Sequence, residues 1–142
     1  MFEFLGDTTR AVIDLIVSGY LEKYPNVKVI VQHCGSFSPN IIDRLTGISE
    51  VLAKQGIGKK VSIEKSMQSL YFDIAGDALP SGIKILETMV DEDHILFGGD
   101  FPYTPKEKIQ TKVEQLLESK DIPFDIEKIM YKNAQNLFQN NR

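Results

Sequence analysis

The chain has 142 residues, 42% hydrophobic and 25% charged, a balance that suits one globular domain with a real core. Its 16 basic and 20 acidic residues leave a net charge of −4 with no basic stripe, which argues against nucleic-acid binding. No apolar stretch approaches the ~20 residues needed to span a bilayer, MFEFLGDTTR lacks the basic start and apolar run of a signal peptide, and the single Cys34 excludes an internal disulfide and suits a reducing cytoplasm.

In chain order, Asp7-Thr8-Thr9 reads as a helix entry, because short oxygen-bearing side chains accept from the first free backbone N–H groups. Val12, Ile13, Leu15, Ile16, Tyr20 and Leu21 then recur with helical spacing, which predicts a helix over roughly 8–24. Pro25-Asn26 stops it, and Val27 to Val31 form a first strand. Pro39 opens a second helix with Ile41, Ile42, Leu45, Ile48, Val51 and Leu52 on its buried side. Gln55 to Ser66 is polar and reads as a loop with irregular helical turns. Leu70 to Ala75 is the second strand, followed by a turn and a helix through Ile83, Leu86, Met89 and Val90. Ile95 to Phe97 is the third strand. Two helices close the chain, one through Ile109, Val113, Leu116 and Leu117, the other through Ile126, Ile129, Met130, Ala134 and Leu137.

The order α-β-α-β-α-β-α-α predicts an α/β fold whose strands lie parallel, since strands separated by helices cannot be hairpins. Right-handed crossovers place all three strand ends on one side. Three parallel strands make a very small sheet with two bare edges, a pairing liability. Such a sheet has the character of the C-terminal part of something larger.

Two strand ends carry chemistry. VKVIVQHCGSFSP (27–39) delivers His33, and HILFGGDFPYTP (94–105) delivers Asp100. An α/β barrel builds its active site this way, from reactive groups at strand carboxyl ends. His33 reads either as a general acid/base or metal ligand facing a cleft, or as a strand-end histidine bonded to a loop. Asp100 follows Gly98-Gly99 and precedes Phe101-Pro102. It could bind a divalent metal or orient water, or it could be a turn aspartate accepting from backbone N–H groups. His94 stands at the opposite end of its strand, where a structural role is the natural reading. Asp73, inside LYFDIAG, needs partners if buried and reads as supporting a network. Arg44, eleven residues past His33, could clamp a substrate carboxylate through its planar guanidinium, although an exposed helix arginine is the plainer reading. Cys34 lacks an evident separate base and reads as a buried bystander.

The ordered segments HCGSFSPNIIDRL (33–45), YFDIAG (71–76), ILFGGDFPYTP (95–105) and IMYKNAQNLF (129–138) resemble amidohydrolase-related metal-dependent hydrolases. The resemblance is to the branch that includes aminocarboxymuconate-semialdehyde decarboxylase and resorcylate decarboxylase. It implies one partial-barrel domain over 1–142, the C-terminal part of a (β/α)8 TIM-type barrel, with strands resembling strands six to eight. His33 then matches the family's catalytic proton handler, Asp100 a metal ligand, and Arg44 a substrate-binding arm that reaches a neighbouring subunit, which implies a homodimer. The His-X-His or Glu-X-His pair of strand one and the strand-five histidine have no counterpart here, and Lys132 stands where relatives favour glycine. Zinc sites need at least three protein ligands, so a divalent metal, zinc first among candidates, belongs to the intact enzyme. The expectation is the C-terminal fragment of a metal-dependent hydrolase or decarboxylase of small carboxylate-bearing substrates, inactive alone. The alternatives are a subunit of a split enzyme that associates with a missing N-terminal half, or a non-catalytic protein that self-associates through its open sheet edges.

Overall fold

The computed structural model describes residues 2–139. Helix α1 (Phe2–Val17) is followed by the short α2 (Tyr20–Lys23), then strand β1 (Ile30–Val31), α3 (Ser38–Lys54), α4 (Ile63–Gln68), β2 (Tyr71–Asp73), α5 (Ser81–Glu87), β3 (Ile95–Leu96), α6 (Lys106–Glu118) and α7 (Asn133–Gln139). The strands form one parallel sheet in the order β1-β2-β3, with Ile30 opposite Tyr71 and Phe72 opposite Ile95. All three strand ends therefore lie on one side. This is the parallel α/β arrangement that the order of elements predicts.

Local chemistry explains where the expected boundaries moved. The first helix begins at Phe2 and stops at Val17, because Gly19 takes a left-handed φ of 71° that breaks the helical run predicted through to residue 24. β1 is shorter than 27–31: the Val27 N–H donates to Tyr24 O, so Val27 belongs to the Pro25-Asn26 turn and is exposed. α3 buries Ile42 and partly Leu45, whereas Ile41, Ile48, Val51 and Leu52 are exposed, contrary to expectation. Only one row of that helix meets its neighbours α1, α4 and α5. Part of the polar stretch 55–66 is ordered as the start of α4, which docks through Ile63, Ser66 and Met67. Leu117 on α6 is exposed, while Leu116 is buried.

The core is the row Ile16, Met67, Leu70, Phe72, Ile83, Leu86, Ile95 and Ile129, all essentially without solvent contact. Burial of this kind contributes about 1.5–3 kcal/mol for each large side chain. Phe72 at the centre of β2 faces the helices, and by strand alternation Tyr71 and Asp73 face the other way, half-buried.

The two outer edges of the sheet end differently. On β3, the Ile95 N–H donates to Glu92 O, Ile95 O accepts from Asn133 Nδ2 at 2.8 Å, and the Phe97 N–H donates to Ile129 O at 2.8 Å. Ile129 lies in a π-helical stretch, Lys128–Lys132, which runs directly into α7. On β1, the ladder to β2 uses the backbone of Val29 and Val31, which turns the N–H and C=O of Ile30 outward. Neither group has a partner among the described residues, and Ile30 is 40% exposed.

Candidate active site

His33 and Asp100 both leave the ends of parallel strands, and both adopt backbone angles that side chains usually avoid. His33 has φ 55° and opens a run in which Cys34 (53°), Gly35 (78°) and Ser36 (54°) are also positive. Asp100 has φ 57°. A non-glycine residue in the left-handed region costs roughly 1–2 kcal/mol, and such strain concentrates at functional sites. The His33 turn is held by neighbours that leave it little freedom. The Gly35 N–H donates to Gln32 O, the Ser36 N–H to His33 O, and Ser38 Oγ to Gly35 O at 2.6 Å. A side chain at Gly35 would strike the Phe72 ring at 2.8 Å.

The His33 ring lies over the end of β2. Its Nδ1 is 3.4 Å from Ala75 O, and Gly76 leaves the room, since a Cβ there would come within 3.2 Å of Nδ1. Phe4 of α1 meets the ring edge-on at 5.7 Å between centroids, and Phe2 packs near Phe37 at 5.6 Å. With Nδ1 protonated toward Ala75 O, Nε2 is the nitrogen able to take a proton.

Asp100 is braced by Thr104, whose Oγ1 donates to Asp100 Oδ2 at 3.0 Å and whose N–H donates to Asp100 O at 2.8 Å. Oδ1 keeps no partner among the described residues. Phe101 and Tyr103 beside it are 73% and 88% exposed. Because β2 separates β1 from β3, the strand ends carrying His33 and Asp100 are about two strand spacings apart, roughly 10 Å. Asp73 lies between them. Its Oδ1 accepts from the His33 N–H at 2.9 Å and the Ala75 N–H at 3.0 Å, while its Cγ would be 2.9 Å from a Cβ on Gly98.

Among the described residues, no three His, Cys, Asp or Glu side chains lie together in a way that could hold a metal ion. Asp100 offers one free carboxylate oxygen, so the donors present here do not fit a complete metal site. A cavity of about 50 Å³ opens beside this rim, lined by Gly76, Phe97, Gly98 and Gly99 with Ile109 and Lys112 of α6. Lys112 Nζ caps it, donating to Gly76 O at 2.6 Å and pairing with Asp77 at 3.1 Å.

The other candidates separate clearly. His94 is at the far end of the sheet, stacked on Tyr71 at 4.3 Å with Nδ1 2.9 Å from Leu70 O, a structural histidine. Arg44 is exposed on α3, six residues past its first residue, and makes no ion pair among the described residues. Cys34 is buried, and desolvation, then the nearby Asp73 charge, pushes its thiol up to about 12. It is therefore not a nucleophile at neutral pH. Lys132 is accommodated on the surface beside Glu127 and Asp125. Thr104 and Phe4 were not singled out from sequence. The Asp-X-X-X-Thr spacing could have marked the first, whereas nothing local marks an aromatic that reaches the site from another element.

A model of the family described as amidohydrolase matches residues 2–139. The 6-methylsalicylic acid decarboxylase of Penicillium expansum is 32% identical over 124 residues, which is 87% of this chain and 38% of that protein. The crystal structure of an amidohydrolase II superposes with a TM-score of 0.84 at 31% identity, covering 96% of this chain and 43% of the other. A dihydroxybenzoic acid decarboxylase from Polaromonas sp., crystallised with manganese and the inhibitor 2-nitroresorcinol, superposes with a TM-score of 0.75 at 24% identity, over 98% of this chain and 42% of its own. The last likeness concerns the fold alone. The chain thus spans about two fifths of the length of these relatives.

Proposed function

The chain belongs to the amidohydrolase family, and from that premise we propose that it supplies the C-terminal share of a metal-dependent decarboxylase acting on small aromatic carboxylates. The observation that carries this reading is the pair of left-handed residues, His33 and Asp100, at the ends of β1 and β3. His33 is the proton handler: with Nδ1 turned to Ala75 O, Nε2 gives a proton to, or takes one from, the substrate carbon. Asp100 is a metal ligand through its free Oδ1, with Thr104 fixing the other oxygen. The remaining ligands belong to a part of the site outside these residues, so no step is routed through the ion. A relative's bound manganese supports a divalent metal, with manganese and zinc both suited to carboxylate and imidazole donors. Arg44 is proposed to bind substrate carboxylate across a homodimer, in a cytoplasmic enzyme.

Calorimetric titration of the isolated chain with manganese and with zinc tests the metal assignment. Weak or absent binding is expected, and tight stoichiometric binding by this chain alone would show that its own residues complete the site. Decarboxylation of 6-methylsalicylate or 2,6-dihydroxybenzoate by the chain joined to an N-terminal barrel portion, lost with chelator and in His33→Ala, is the outcome expected for the activity. A joined, folded enzyme unaffected by His33→Ala would overturn the role of His33.

A further inference from the structure

We infer that Asp73 is the positioning residue for His33, fixing both its main chain and the tautomer of its ring; this rests on the reading of His33 as proton handler. β2 ends at Asp73, and strand alternation sends its carboxyl away from the core, toward the rim where the three strand ends meet. There one oxygen, Oδ1, accepts from two backbone N–H groups on two different segments, His33 at 2.9 Å and Ala75 at 3.0 Å. The first bond opposes the cost of a left-handed residue at His33, since a carboxylate accepting from an N–H is about twice as strong as a neutral pair. The second bond anchors the Ala75 N–H, and the carbonyl of the same residue, across its Cα, is the group facing His33 Nδ1 at 3.4 Å. One carboxylate thus holds the histidine from both ends, its backbone directly and its imidazole through a single intervening residue, Ala75.

The same side chain sets the spacing to the third strand. A Cβ on Gly98 would lie 2.9 Å from Asp73 Cγ, 3.0 Å from its Cβ and 3.2 Å from Oδ2. Real Cβ atoms do not approach that closely, so the carboxyl packs against the backbone of the segment after β3, two residues before Asp100. Asp73 makes no ion pair among the described residues, unlike Asp7, Asp77, Asp93 and Asp125 at the surface, and its Oδ1 is spent on backbone N–H groups. Nothing in the mechanism requires it to touch substrate. Its part is to make the His33 loop and the Asp100 loop a single rigid rim.

The test uses the whole chain and needs no turnover. In the wild type, a through-hydrogen-bond NMR coupling is expected from the His33 amide nitrogen to the Asp73 carboxyl carbon, and the ¹⁵N shifts of the neutral imidazole should report Nδ1–H as the main tautomer. Asp73→Ala should abolish amide protection at His33 and move the ring to the Nε2–H tautomer that a free imidazole prefers. Asp73→Asn, which keeps an acceptor oxygen, should restore the wild-type tautomer. A folded Asp73→Ala with the His33 tautomer unchanged would overturn the inference. If that variant does not fold, absence of the wild-type coupling, or the Nε2–H tautomer in Asp73→Asn, would do so instead. In an active joined enzyme the matching result is a fall of about a hundredfold in kcat with KM held, recovered in Asp73→Asn. An inactive enzyme with the NMR results intact would count against the proposed activity and leave the Asp73 assignment standing.

Discussion

The two outer strands of the sheet are equally short, and each delivers one candidate catalytic group, yet their free edges are finished in opposite ways. β3 has its outward groups taken by the chain itself, through Glu92 O, Asn133 and Ile129 O. β1 leaves the Ile30 N–H and C=O facing out, above a groove lined by Ala11 and Leu15 of α1. An edge with unpaired N–H and C=O groups is a template for another strand, whereas a covered edge is not. Asp100 is thus held by the chain's own fold, while the strand that leads to His33 leaves its outer edge open among the described residues.

The largest expected effect comes from opening the closed edge. Asn133 is 3% exposed, and its Nδ2 donates to Glu92 O at 2.7 Å and Ile95 O at 2.8 Å. Asn133→Ala leaves the Ile95 carbonyl unpaired and the Glu92 carbonyl with only the Ile95 N–H, beside a small void, and is expected to lower stability by about 1–3 kcal/mol, read from urea denaturation. A loss of under ~0.5 kcal/mol would mean that β3 is not clamped by α7. Hydrogen exchange draws the same contrast without mutation. The Phe97 and Ile95 amides should exchange only with global opening, and the Ile30 amide with local fraying. Comparable protection at Ile30 and Phe97 would erase the distinction between the edges.

Acid should weaken the closed edge. Hydrogen bonding from Lys128, then the Asp125 N–H, holds the Glu92 carboxyl below the ordinary carboxylate range. A depressed folded value means that the stabilisation is present above the unfolded value of ~4.3 and is lost as pH falls through the folded one. Thermal melting followed from neutral pH downward should lose midpoint in that window, and Glu92→Gln should flatten the slope. Cys34 runs the other way. Its folded value, about 12, is raised above that of a free thiol, so stability conferred by the protonated thiol declines as pH rises past ~8.5.

The parts of this fold legible in the sequence are those fixed by short-range chemistry. The apolar runs ending at Val31, Ile74 and Phe97, the glycines after them, and the order of helices and strands all point to a parallel sheet with His33 and Asp100 at one rim, and the strands do lie parallel in that order. What was not legible depends on partners distant in sequence. The exposed Ile41, Ile48, Val51 and Leu52 carry a core-like helical spacing that only the arrangement of neighbouring helices can contradict. The π-helical stretch at 128–132, and with it the bond from Phe97 to Ile129, has no local signal because it answers to the unpaired edge of β3. Asp73 was readable as a carboxylate in need of partners, but the identity of those partners, His33 and Ala75, came only with the turn they share.

The smallest effect on the chain by itself should be the most informative about the open edge. Ile30 is 40% exposed and its backbone is unpaired on one side, so Ile30→Lys removes part of one contact with the α1 groove. Its cost to the isolated chain should be about 0.5–1 kcal/mol, measured by the same urea titration. A lysine on an edge strand nevertheless discourages strand addition, because its charge must be desolvated when another strand is laid alongside. The substitution should therefore leave the solitary fold nearly intact while strongly weakening any association made through β1, read by sedimentation of the chain with an N-terminal barrel portion. Asn133→Ala should show the reverse pattern, a large cost to the solitary fold and a lesser one to association. If both variants weaken association equally in proportion to stability, the two edges are equivalent and the asymmetry has no bearing on how the barrel is completed.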